Sequence, residues 1–135
     1  MSKENMLDLA LFILRLTLGG IFLAHGLQKL GVFGGEAVTG FAGMLQGLGM
    51  PNAETHAWAV SIIETAAGAL LIFGILPRLS ALSIAVIMSA AVIKVHAPKG
   101  FFMMDGGYEY PLLIIAASLV ILLAGAGKIS LMNKG

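Results

Sequence analysis

The chain has no cysteine in its 135 residues, and that absence removes several kinds of chemistry at once. A disulfide framework, a Cys-x-x-Cys redox relay and an iron–sulfur cluster held by this chain alone all need thiols. Charge is also scarce. Asp, Glu, Lys and Arg make up 11% of the residues, where a soluble domain carries about 25%. Eight Lys and Arg stand against seven Asp and Glu, with no basic stripe that would attract nucleic acid. Neither Gly-x-Ser-x-Gly nor the Gly-rich phosphate loop ending in Gly-Lys-Ser/Thr occurs, which excludes the hydrolase and nucleotide sites built on them.

What fills the chain is apolar: 59% of it is hydrophobic and the mean hydropathy is +0.97. A bilayer core is spanned by about 20 apolar residues. Four runs meet that length, at about Leu7 to Leu30, Ala57 to Leu76, Leu79 to Val95 and Tyr110 to Ala126. In lipid every backbone polar group needs an internal partner, so such runs are expected as helices. The first run continues to Leu30 and carries Arg15 inside it, so it is expected to be a retained helix rather than a signal peptide.

The predicted fold is all-α: a polytopic membrane protein, one domain over residues 1–135, with four antiparallel transmembrane helices. The short joint Leu76-Pro77-Arg78 makes the second and third spans antiparallel neighbours. Gly20, Gly68 and Gly74 supply small surfaces for close helix approach. Between the first two spans, Phe41, Met44, Leu45 and Leu48 recur at helical spacing. They predict a short interfacial amphipathic helix or an ordered apolar loop within Gly31 to Ala53. With four crossings both termini share one side. Lys3, Arg78, Lys128 and Lys134 fall there, against Lys29, Lys94 and Lys99 opposite, with Glu36, Glu54, Asp105 and Glu109. Lys/Arg counting places both termini in the cytoplasm of a bacterial plasma membrane.

Ionisable groups inside a span cost several kcal/mol unless paired, so each is a functional candidate. Arg15 lies about 12 Å along the first run and Glu64 about 18 Å from the end of the second. Those depths predict a buried Arg15–Glu64 ion pair, read first as a lock between helices and second as the floor of a cavity.

A second group gathers at the opposite face. His25 and Lys29 are four apart near the end of the first run; Lys94 and His96 end the third, and Glu109 opens the fourth. The connecting stretch KVHAPKGFFMMDGGYEYP holds much of this scarce charge, with Phe101 to Met104 expected to fold back as a lid. Lys29 and Lys94 can also be read as lysines reaching for headgroups, and His56 as a solvated helix-start residue.

AHGLQKL, SIIETAAGALLIFGILPRLSAL, HAPKGFF and EYPLLIIAASLVILLAGAGKISL, in that order and spacing, resemble the DoxX family of small four-helix membrane proteins. The resemblance runs from Arg15 to Ser130. It includes Arg15, His25, Gly26, Lys29, Glu64, Gly68, Arg78, His96, Gly100, Phe101, Glu109, Gly125, Gly127 and Ser130. It implies a membrane bundle associated with oxidoreductase systems, including thiosulfate:quinone oxidoreductase. Met132 and Asn133 stand where family members often have an acidic residue after the final Ser-Leu.

Two functions compete. In the first, the chain is a membrane subunit that binds a quinone or similar lipid-soluble ligand in a polar pocket, with a redox protein partner supplying electrons. His25 and His96 donate hydrogen bonds and protons, Lys29 or Lys94 stabilises charge, Glu109 orients a histidine or passes protons, and Phe101 or Phe102 stacks on the ring. In the second it is a non-enzymatic scaffold, assembly partner or small-solute carrier, as a monomer or homo-oligomer. Haem between two histidines, or a metal on three histidines and Glu109, finds no supporting His-x3-His or His-Glu-x2-His spacing, so no metal and no covalent cofactor are expected.

Overall fold

The computed structural model describes residues 1–35 and 37–132; Glu36, Asn133 and Lys134, which entered the charge and family readings, lie outside the described residues. Within them the chain is helical, in the order α1 (Lys3–Lys29), α2 (Ala37–Gly47), α3 (Ala53–Phe73), α4 (Pro77–Ala91) and α5 (Glu109–Ala124). α1, α3 and the helical stretch Pro77–Lys99 are long and apolar enough to cross a membrane. α5 is apolar but has 16 residues, about 24 Å against a hydrocarbon core of about 30 Å.

Local chemistry sets the helix ends. Ser2 caps α1 by accepting a hydrogen bond from Asn5 N–H, and Lys29 sits in its last turn, where a cation suits the carbonyl end of the helix dipole. α3 stops at Gly74, whose φ of 68° is the left-handed conformation glycine adopts without a Cβ penalty. Ile75 N–H donates to Leu70 O across that turn. Leu76 is left-handed too, and Pro77 then opens α4 with its φ already helical. At its far end α4 widens into a π turn, Val92–His96, and a short 3-10 turn, Ala97–Lys99.

α1 and α3 make the most extensive helix contact. Gly19 lies against Gly68 and Ile72, Gly26 against Thr65, and Gly68 against the backbone of Leu23. A Cβ on any of these three glycines would overlap its neighbour, so they are what lets the two backbones approach. Of the glycines expected to do this, Gly68 does. Gly20 faces open space, and Gly74 both caps α3 and leaves room for the Arg15 guanidinium and Ser130, which a Cβ would overlap. The central core gathers Leu18, Phe22, Ala67, Leu71, Ala81, Ile84, Ile114 and Ile121 from α1, α3, α4 and α5. Buried Ser61 and Ser118 satisfy their hydroxyls by donating to carbonyls four residues back, Ala57 O and Ile114 O.

α2 settles the choice between interfacial helix and loop in favour of a helix, but with a rotated face. Val38 and Leu45 are buried, with Phe41 and Ala42 beside them, packed on Ala57 of α3. Met44 and Leu48, expected on the apolar face, are exposed. The positions 38, 41, 42 and 45 follow the i, i+3, i+4, i+7 stripe of a helix seated on a partner. That packing offsets the helix-weakening effect of Gly40, Gly43 and Gly47.

Candidate functional site

The predicted Arg15–Glu64 pair does not form. Glu64, 4% exposed, receives both of its contacts from Lys29: Nζ lies 2.9 Å from Oε1 and 2.9 Å from Oε2. The same ammonium sits 4.3 Å from the ring centroid of Phe41 on α2. Lys29 therefore does not simply reach for headgroups; one side chain ties α1, α2 and α3 together. The physical reason is register. α1 begins at Lys3 rather than Leu7 and continues past the end of α3, so Arg15 is level with the Gly74 cap. From Arg15 to Lys29 is fourteen positions of α1, about 21 Å, too far for any arginine to reach Glu64.

Arg15 is fully buried at the other end of the molecule. Its Nη2 donates to Ile129 O, and its guanidinium carbon lies 5.7 Å from the Phe12 ring centroid. Nε and Nη1 have no partner among the described residues. Ile129 belongs to a strap, residues 125–132, that leaves α5 and returns along α1 and α3. Lys128 N–H donates to Asp8 Oδ1 and Lys128 Nζ to Glu4 Oε2. Leu131 and Met132 N–H donate to Phe73 O and Gly74 O, satisfying carbonyls that the end of α3 would leave bare.

The six residues expected around one polar hollow fall into separate places. Lys29 belongs to the ion pair. His25 is exposed on α1, in a surface recess of about 250 Å³ that it shares with Ala24, Gln28 and Phe33, and with none of the other five. His96 is half-buried, with Nδ1 2.7 Å from Gly106 O, an acceptor that puts the ring proton on Nδ1 and leaves Nε2 free to accept. Glu109 is exposed and its Oε2 accepts Met103 N–H at 3.0 Å. Phe101 meets Phe102 and Tyr108 edge-on, with ring centroids at 5.3 and 5.5 Å. Lys94 is exposed on the π turn. Thus His96, Phe101 and Glu109 do come together, but as braces of one connection rather than as walls of a cavity. The lid expectation fails with it, because Phe102, Met103 and Met104 project outward. Among the described residues no three His, Asp or Glu side chains converge as metal ligands. His56 fits its helix-start reading: it is exposed, with Nδ1 3.0 Å from Asn52 O.

Two things escaped sequence reasoning: the Lys29–Glu64–Phe41 cluster and the strap over Arg15. For the first, the signal was available. Aligning Gly19 and Gly26 with the small residues Ser61, Thr65 and Gly68 fixes a register that sets Lys29 beside Glu64. For the second, GAGKISL offered glycines and a lysine but nothing that identified its partners.

The family model for DoxX matches residues 10–97, from α1 through the π turn. The chain belongs to the DoxX family. The matched stretch holds Arg15, His25, Lys29, Glu64 and His96, whereas Phe101, Glu109 and the strap lie beyond it. Membership in DoxX, with three long apolar helices, makes this an integral membrane protein. An "Uncharacterized protein" of Haemophilus influenzae is 45% identical over 62 residues, covering 46% of this chain and 41% of that protein. A Bacillus subtilis protein named "Putative oxidoreductase CatD" is 28% identical over 124 residues, covering 92% of this chain and 85% of that protein. No solved structure matches.

Proposed function

We propose that this DoxX protein is a membrane component of an oxidoreductase system and that a quinone headgroup docks on α1 at the His25 recess. The observation that carries the reading is the composition of that recess. An imidazole, a carboxamide and an aromatic ring, from His25 and Gln28 of α1 and Phe33 of the turn after it, line one shallow opening at the end of α1. A quinone asks for these groups: hydrogen-bond donors for its carbonyl oxygens and a ring face to stack on. Full reduction takes up two electrons and two protons. The electrons come from a redox protein partner, and the His25 imidazole, which can both donate and accept a hydrogen bond, passes protons to the ring oxygens. The relationship to a Bacillus subtilis protein named as an oxidoreductase supports the general role. In the same reading α1, α3, α4 and α5 all span a bacterial plasma membrane with neighbours antiparallel, and both termini are cytoplasmic.

A photoreactive quinone analogue and protein in lipid nanodiscs test the docking site. Labelling should map to residues 24–33 and fall at least tenfold in His25→Ala and Gln28→Ala. Equal labelling in both variants rules the site out. A scaffold role is the second reading. It is favoured by the fact that Arg15 and Glu64, the two buried charges among the described residues, are each spent on holding segments of the chain together. Purified protein that carries no quinone in its lipid extract, but a stoichiometric protein partner, selects it.

A further inference from the structure

The connection between α4 and α5 is braced by its own backbone hydrogen bonds and by two side chains. Gly107 and Tyr108 N–H donate to Phe102 O and Gly100 O, and Glu109 N–H to Phe101 O. Asp105 and Gly106 N–H close a 3-10 turn, Met103–Asp105, onto Phe102 O and Met103 O. His96 and the Glu109 carboxylate clamp it from both ends. Gly107 is buried against the carbonyl of Gly100, where a Cβ would not fit. Yet what this rigid loop displays is apolar: Phe102 is 64%, Met103 59% and Met104 97% exposed. A contiguous apolar projection with nothing covering it marks a contact with something else.

We propose that the tip Phe102-Met103-Met104 is a preformed membrane anchor that inserts into the interfacial layer of the bilayer at its end of the molecule. Three observations select lipid as the occupant. α5 is about 24 Å long, so the loop that feeds it is drawn down toward the acyl boundary when α5 is centred in the core. The helical stretch Pro77–Lys99 is 23 residues and its last turns carry exposed Lys94 and Lys99, of which Lys99 lies against Gly106 in the same loop, placed to meet headgroup phosphates. The loop is already ordered by its own hydrogen bonds, so little conformational freedom is lost when the tip inserts. His96 and Glu109 thereby act as positioning residues for an anchor, independently of whether a quinone binds at His25.

The test uses the full chain in phosphatidylcholine–phosphatidylglycerol vesicles, with its single tryptophan removed by Trp58→Phe and a probe introduced by Met104→Trp, or by Phe102→Trp as a second site. The anchor predicts blue-shifted emission, quenching by lipids brominated near the headgroup end of the acyl chain, and at least a threefold weaker response to iodide than a probe at Glu54→Trp. Emission at the water-exposed maximum with full iodide quenching overturns it. So does shielding from both quenchers, which would mean the tip is covered by protein, such as a second copy of the chain.

Discussion

Two cations of α1, the fully buried Arg15 and the partly buried Lys29, are housed in opposite ways. Lys29 has a carboxylate at 2.9 Å on both oxygens and an aromatic face at 4.3 Å, and its tether joins three helices. Arg15 has one backbone carbonyl, a distant ring, and two nitrogens with no described partner. A charge taken out of water is tolerated when its counter-charge and hydrogen bonds come with it. The Lys29 end meets that condition inside the helix bundle. The Arg15 end meets it in part, and only because residues 125–132 fold back over it. The first end is held by side chains that belong to long helices; the second depends on a strap whose outer fastening, Lys128 to Glu4, is exposed.

That contrast can be broken most sharply at Glu64. Glu64→Ala leaves the mostly buried ammonium of Lys29 with an aromatic ring alone, and should cost about 3 kcal/mol in reversible unfolding from mixed micelles. Lys29→Met added to Glu64→Leu should recover most of the loss. Next comes the glycine seam that sets the register. Gly68→Ala drives a methyl into the backbone of Leu23 and should cost about 1–3 kcal/mol. Gly20→Ala meets nothing within 4 Å and should be neutral, or stabilise by up to about 1 kcal/mol through helix propensity. A loss of equal size in both glycine variants would mean that the seam lies elsewhere.

At the weaker end, Arg15→Met exchanges a half-satisfied cation for an apolar chain of similar length, and should change stability by about 1 kcal/mol. Its clearer signature should be local: faster deuterium exchange at the Leu131 and Met132 amides as the strap loses its grip on Arg15. Smallest of all is Lys128→Ala, which removes a fully exposed ion pair and should leave the melting temperature unchanged within error. Glu4 and Asp8 hold the Lys128 ammonium above the ordinary lysine range. A raised pKa means that any contribution from this group is present at neutral pH and is lost only as pH climbs past the usual lysine value.

Composition and run length were enough to read the helices, because lipid leaves so few alternatives for an apolar chain. The first three spans fall within a turn or so of the expected ends, and α2 was legible as a periodic segment although its buried face was not. What the sequence hid was sliding. Aligning two helices by their apolar ends ignores that α1 overhangs α3, and that offset moves the partner of Glu64 from Arg15 to Lys29. The expectation of one polar hollow failed for a related reason. His25 and His96 belong to the same end of the molecule, yet His25 is on a helix packed against α3, while the segment holding His96 packs on α4 and its following loop. Sharing an end is not sharing a cavity. Glu109 and His96 were read as members of a ligand pocket, but the groups they meet are backbone atoms of Met103 and Gly106, which no side-chain pattern announces.

Helix register decides every assignment above, and paired double-mutant cycles measure it. With Lys29→Met and Glu64→Gln, singly and together, the coupling should be about 1.5–3 kcal/mol, whereas the cycle of Arg15→Met with Glu64→Gln should couple by less than about 0.5 kcal/mol. Strong coupling between Arg15 and Glu64, with none between Lys29 and Glu64, would contradict the account.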